Sequence, residues 1–258
     1  MTLYQLSSPA GAAVPVVADI PHSGREIPRA IQWQFKRELR RRLPGLDRRL
    51  DELYDFLPEL GITILRATHS RYVVDLNRDW RNNIFGQPAS SVIYRETLSG
   101  DLLYDIEPPE HELNDRIVRY YLPYHRQLAD LLEECLDRFG RVLLLDLHSF
   151  GTDSPDADIV LGDVNGKSCN KALTDAFERA FRNQGFSVAR NERWTGGYIT
   201  RHYSKLENIQ ALQMEIKFRA YLDAEDYGTE ELKDPEKLRL SRERLKAAFS
   251  EALANLPG

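Results

Sequence analysis

Cysteine is nearly absent: Cys135 and Cys169 are the two in a chain of 258 residues. They lie far apart, so there is no paired CxxC motif, and both read as reduced thiols of a cytoplasmic protein. No apolar run approaches the ~20 residues of a membrane span. The N-terminus has neither a basic stretch nor a long apolar one, so no signal peptide and no membrane partner are expected. An excess of one charge is also missing. With 35 basic and 40 acidic residues the formal net charge is −5, which gives no reason to expect nucleic acid. The densest basic run, Arg40, Arg41 and Arg42 with Arg48 and Arg49 nearby, is flanked by acids and apolar residues and reads as a solvated helix face. Internal repeats, low-complexity tracts, long linkers and the HExxH zinc helix are lacking too.

What is present is an ordinary globular mix, 42% hydrophobic and 29% charged, long enough for one large domain over 1–258. Apolar runs at 14–20, 62–67, 72–76, 142–147, 159–161, 186–189 and 209–216 read as strands. Helical patterns occupy 31–42, 46–57, 110–139 (kinked or broken near Pro123), 169–183 and most of 230–256. Residues 80–110, rich in Gly and Pro, read as a long loop of the kind that is often functional, and 194–203 as a loop or hairpin. Strands alternating with helices imply an α/β sandwich with a largely parallel sheet, whose ligands bind beyond the carboxyl ends of the strands.

Three apolar runs end in polar clusters. VPVVADIPHSG leads to His22, RYVVDLNRD to Asn77 and Arg78, and RVLLLDLHSFG to His148. Each residue has a plain alternative: His22 as the cap of a turn, His148 and Asp146 as a structural pair. Together they suggest one shared site. Two histidines from distant strands suit zinc, which takes nitrogen ligands and a carboxylate. Asp146, two residues before His148, shares its face of the strand and is placed to orient the ring. The third ligand is open between Glu26, four residues after His22, and Asp47, at the start of the second helical pattern. Glu215 alternates with Leu212, Met214 and Ile216, and is either a general base or a surface acid on an edge strand. Arg71, Arg78 and Arg201 are candidates for gripping carboxylates. The segment around Tyr198 and Arg201, GGYITRHY, combines backbone access with polar contacts. Cys169 is the alternative nucleophile, with no activating motif around it.

Six motifs then recur in order: PHSG at 21–24, DRRLDELYDF at 47–56, SRYVVDLNR at 70–78, DLHS at 146–149, GGYITRHY at 196–203 and QME at 213–215. Together they resemble the N-formylglutamate amidohydrolase (deformylase) family over about residues 20–221. The resemblance implies a three-layer α/β sandwich around a mixed, largely parallel sheet, akin to zinc carboxypeptidases and aspartoacylases (phosphorylase/hydrolase-like). It implies one Zn2+ on His22, His148 and a carboxylate. Asp47 is preferred over Glu26, which lies one position too far for the HxxE spacing of the carboxypeptidases. It also implies Glu215 as general base and proton donor, Arg71 at the substrate or oxyanion, and Asn77, Arg78, Arg201 and Tyr198 around an acidic N-acyl amino acid. N-formyl-L-glutamate is the first candidate, with a tight acyl side and a place in histidine breakdown. Another N-acyl amino acid, a small peptide, or a non-catalytic binder of an acidic metabolite remain alternatives. Departures after His148, after Arg78 and at Ser204 bear on the substrate's side chain more than on the reaction.

Overall fold

The computed structural model describes residues 2–152, 155–227, 229, 231–233 and 235–255. Among these residues the strands are β1 (Tyr4–Ser7), β2 (Val16–Ile20), β3 (Thr63–Ala67), β4 (Phe85–Gly86), β5 (Ile93–Tyr94), β6 (Val142–Phe150), β7 (Ile159–Gly162), β8 (Val188–Arg190) and β9 (Ile209–Lys217). Seven of them form one sheet in the order β1-β3-β2-β6-β9-β7-β8; β4 and β5 pair with each other alone. β1 runs antiparallel to β3 and β7 to β9, while the other pairings are parallel. The α-helices are α1 (Arg37–Arg42), α2 (Leu50–Leu53), α3 (Glu110–Arg116), α4 (Leu122–Phe139), α5 (Lys171–Asn183), α6 (Tyr198–Tyr203) and α7 (Glu236–Ala254).

Alternation along the central strands builds two cores and then ends one of them. Val16, Ala18 and Ile20 of β2, Leu143, Leu145 and Leu147 of β6, and Leu212, Met214 and Ile216 of β9 face the core closed by α2, α5 and α7. The opposite face carries Val17, Val142, Leu144, Ile209 and Ala211 under α4 and α6. Further along that second face, apolar residues give way to acids and amides at one level. Asp19 pairs in register with Asp146, Asp146 with Gln213, and His148 with Glu215. The carboxyl end of the sheet centre therefore gathers its acids and amides on one face.

Several local expectations change. Residues 72–76 are buried but turn instead of forming a strand. Val73 N–H bonds to Ser70 O (2.8 Å) and Asp75 N–H to Val92 O (2.7 Å), so tertiary hydrogen bonds override β-propensity. The helix expected over 46–57 shrinks to α2 and a 3-10 turn at Leu57–Leu60. The Asp47 amide is committed to His22 O, the Arg48 amide to Ser149 Oγ, and Arg49 takes a left-handed φ of 49°. The helix expected over 31–42 is cut where Lys36 N–H bonds to Leu103 O at 2.9 Å. The 194–203 segment is no hairpin: after Gly196 and Gly197 it forms α6. The break expected near Pro123 is a π-turn at Ile117–Tyr121, which runs directly into α4 with Pro123 as its second residue. The expected ends of the last helix, Glu230 and Leu256, lie outside the described residues.

Candidate metal centre

His22 follows β2 by two residues, Asp47 lies in the loop before α2, and His148 sits within β6 rather than beyond it. Their ligand atoms converge within 4.8 Å of one another, and all three side chains are buried. Glu26 is exposed and does not join them. The two rings lie 4.8 Å apart, centroid to centroid. Each presents Nε2 to a carboxylate behind it: His22 to Asp75 Oδ1 at 2.8 Å, His148 to Asp146 Oδ1 at 2.6 Å. That leaves Nδ1 of each ring facing Asp47 Oδ2, at 4.0 Å for His22 and 2.9 Å for His148. Two imidazole nitrogens and a carboxylate oxygen, each ring fixed from the rear, are a donor set that suits a zinc ion.

The supports differ in electrostatics. Asp75 Oδ2 accepts from Arg71 Nη2 (2.7 Å) and from the Tyr94 hydroxyl, and its Oδ1 also accepts the Asn77 N–H at 2.7 Å. Burial opposes ionisation of Asp75, yet the charges of His22, Arg71 and Arg78 hold its carboxyl well below the usual range. Asp146 Oδ2 accepts the Thr200 hydroxyl at 2.9 Å and the Asn77 amide at 3.2 Å. Burial works against its charge as well, but His148 holds the carboxyl below the usual range. Its neighbour Asp19 goes the other way: burial, then the charge of Asp146, raises that carboxyl well above the ordinary value. The two neighbouring buried carboxyls are thus pushed in opposite directions, Asp19 up and Asp146 down.

Glu215 is buried on the interior strand β9, not on an edge, and faces the trio from the position paired with His148. Gln213 Nε2 donates to its Oε1 at 2.9 Å. Burial pushes the Glu215 carboxyl up to about 8; His148 and Arg71 oppose the shift, while Asp47 and Asp146 add to it. A carboxyl poised near neutrality can both take and return a proton.

The expected substrate contacts are dispersed. Arg71 is buried and engaged with Asp75, Tyr94 and Gly45 O, while its Nε has no partner among the described residues. The Asn77 amide is committed on both atoms: Oδ1 accepts the Ile199 N–H at 2.8 Å and Nδ2 donates to Asp146 Oδ2 at 3.2 Å. Asn77 therefore caps α6 as an N-cap side chain would. Arg78 is half-buried, donating to Pro88 O and Asn77 O. Arg201 is exposed and held by Gly196 O and Thr195 Oγ1. Tyr198 stacks on His202, at 4.9 Å. Cys169 is buried, its thiol pushed up to about 11 by burial, which does not suit a nucleophile. Sequence reasoning missed Asp75, Tyr94, Asp19, Thr200 and Gln213. Asp75 carried a signal, an acid in an apolar run four residues after an arginine; Tyr94 carried none.

The model of the N-formylglutamate amidohydrolase family matches residues 14–222. An N-formylglutamate deformylase of Pseudomonas aeruginosa is 35% identical over 221 residues, covering 81% of this chain and 83% of that protein. One of Pseudomonas putida is 31% identical over 242 residues, 89% of this chain and 90% of that one. The crystal structure of an N-formylglutamate amidohydrolase from Ralstonia eutropha JMP134 superposes with a TM-score of 0.84 at 29% identity, over 98% of this chain and 99% of that one.

Proposed function

The chain belongs to the N-formylglutamate amidohydrolase family, and from that membership we propose that it hydrolyses N-formyl-L-glutamate to formate and L-glutamate with one zinc ion. The observation that carries this reading is the convergence of His22, Asp47 and His148 beside Glu215. When bound there, zinc supplies Lewis-acid polarisation of the amide and acidifies water. Glu215 takes the proton of the attacking water and delivers it to the leaving nitrogen. Asp75 and Asp146 hold the two imidazoles in line. Arg71, with a buried Nε–H unmatched among the described residues, is assigned to the negative charge that develops on the amide oxygen. Arg78 and Arg201, flanking Asn77 and α6, are assigned to a substrate carboxylate, and Tyr198 to the wall beside them. Asn77 positions α6 and His148 rather than offering a free amide. Residues 1–258 act as one cytoplasmic domain in this reading; no helix among the described residues is long and apolar enough to cross a membrane.

The test is formate release from N-formyl-L-glutamate, measured before chelation, after it, and after zinc is restored. Activity should vanish and return. Zinc-replete protein that releases no formate would move the substrate to another N-acyl amino acid.

A further inference from the structure

The polar end of the sheet is approached from two sides. Asn77, Arg78 and α6 lie with the core under α4, where Leu76 and Ile199 pack. On the opposite side, where Leu50 and Leu222 pack, a cavity of about 170 Å3 reaches the trio through Asp47. Its wall includes Ser23, directly after His22, Arg48, directly after Asp47, and Arg25. Arg48 anchors one nitrogen, Nη2, on the carbonyls of Arg42 (3.2 Å) and Leu43 (3.4 Å); its other donors have no acceptor among the described residues.

The acids at this cavity are largely accounted for. Asp47 belongs to the trio, Asp51 pairs with Arg66 at 3.1 Å and Glu52 with Arg49 at 2.7 Å. Asp226 accepts the Lys233 N–H through Oδ1, and its Oδ2 is buried without a hydrogen bond among the described residues. Ser23 Oγ is likewise buried without a partner among them. Among the described residues the cavity therefore holds one orphan hydroxyl donor, Ser23 Oγ, beside two arginines; a carboxylate meets those donors, whereas Asp226 Oδ2 is an acceptor that it leaves unmet. Arg25 also borders an outer groove with Arg37, Arg40 and Arg41, a cationic approach on a chain whose net charge is −5.

We propose that Arg25 and Arg48 hold the second carboxylate of a dicarboxylic substrate. The substrate then bridges the end of the sheet, one acid group on the Arg78 side and the other in this cavity. The inference rests on the reading of the substrate as an acidic N-acyl amino acid.

The experiment compares kcat and KM for N-formyl-L-glutamate and N-formyl-L-glutamine in wild type, Arg25→Gln and Arg48→Gln. The kcat/KM preference for the acid should fall roughly tenfold or more, mainly through KM, as expected for a lost charge-assisted contact. Arg25→Lys should restore part of it. A preference that survives both glutamine variants, or equal losses on both substrates, overturns the proposal. Arg25 is exposed, so its variant keeps the test open if Arg48→Gln fails to fold. A second readout needs no turnover: calorimetric binding of glutarate and butyrate to the zinc-loaded protein. Wild type should favour the dicarboxylate and Arg25→Gln should lose that preference. Equal affinities in wild type overturn the proposal. Preference for glutarate without hydrolysis of either formyl substrate would retain it and reject the proposed reaction.

Discussion

Glu215 ionises against the cost of burial, and that cost can be measured. Its carboxyl titrates near 8 in the folded protein, against roughly 4.3 in an unfolded chain. Between those values the unfolded chain has released the proton and the folded one has not, so stability falls as pH rises through this window and levels off above it. Metal-free Glu215→Gln should therefore gain on metal-free wild type from about pH 5 to 8, by at most about 1.4 kcal/mol per pH unit. Urea denaturation at the two ends of the window measures it; a difference that does not change with pH would refute the assignment. Asp75 is tied to His22 on one side and Arg71 on the other. Asp75→Asn keeps the shape but removes the charge between them, and zinc affinity should drop about 10–100-fold in a chelator competition. Undiminished affinity would show that the carboxylate does not tune the ligand. His22 and His148 were legible because each follows an apolar run that a histidine interrupts. Asp75 was legible as one of the polar residues crowded at 71–78, but its role was not, because an acid among valines and leucines shows its partners only after folding.

At the scale of elements, the strands were legible wherever packing and pattern agree, as in β6 and β9. Short segments next to the centre were misread because distant groups decide them. The start of α6 is the sharpest case: its cap comes from Asn77, 122 residues away from Ile199 in sequence. A Gly-Gly pair without that partner reads as a turn. The approach is close, and a Cβ on Gly197 would stand 2.5 Å from Asn77 Oδ1. Asn77 cannot yield, because Ile199, Asp146 and His148 surround its amide. Gly197→Ala should therefore displace α6 and Thr200 from Asp146, lowering kcat by an estimated factor of about 10–100, the scale of an ångström misplacement. Circular dichroism should still show a folded protein. Wild-type kcat in that variant would mean that α6 does not position the site.

At the scale of the molecule, alternating strands and helices were enough to read an α/β sandwich. The order β1-β3-β2-β6-β9-β7-β8 was not legible, because strand neighbours are chosen by the packing of both cores at once. That order gathers residues from positions 22, 47, 75, 148 and 215 to one end of the sheet. A cut in the exposed turn at Ser99 and Gly100 would leave His22, Asp47 and Asp75 on one piece and His148 and Glu215 on the other. Neither half then owns a complete ligand set, so zinc uptake becomes a reporter of complementation. Mixed halves should take up the metal and each half alone should not, and a half that binds zinc tightly by itself would contradict the shared ownership of the site. In the proposed reading a bound ion would be a latch between two halves of the chain, and its uptake would report that β2 and β6 have come together.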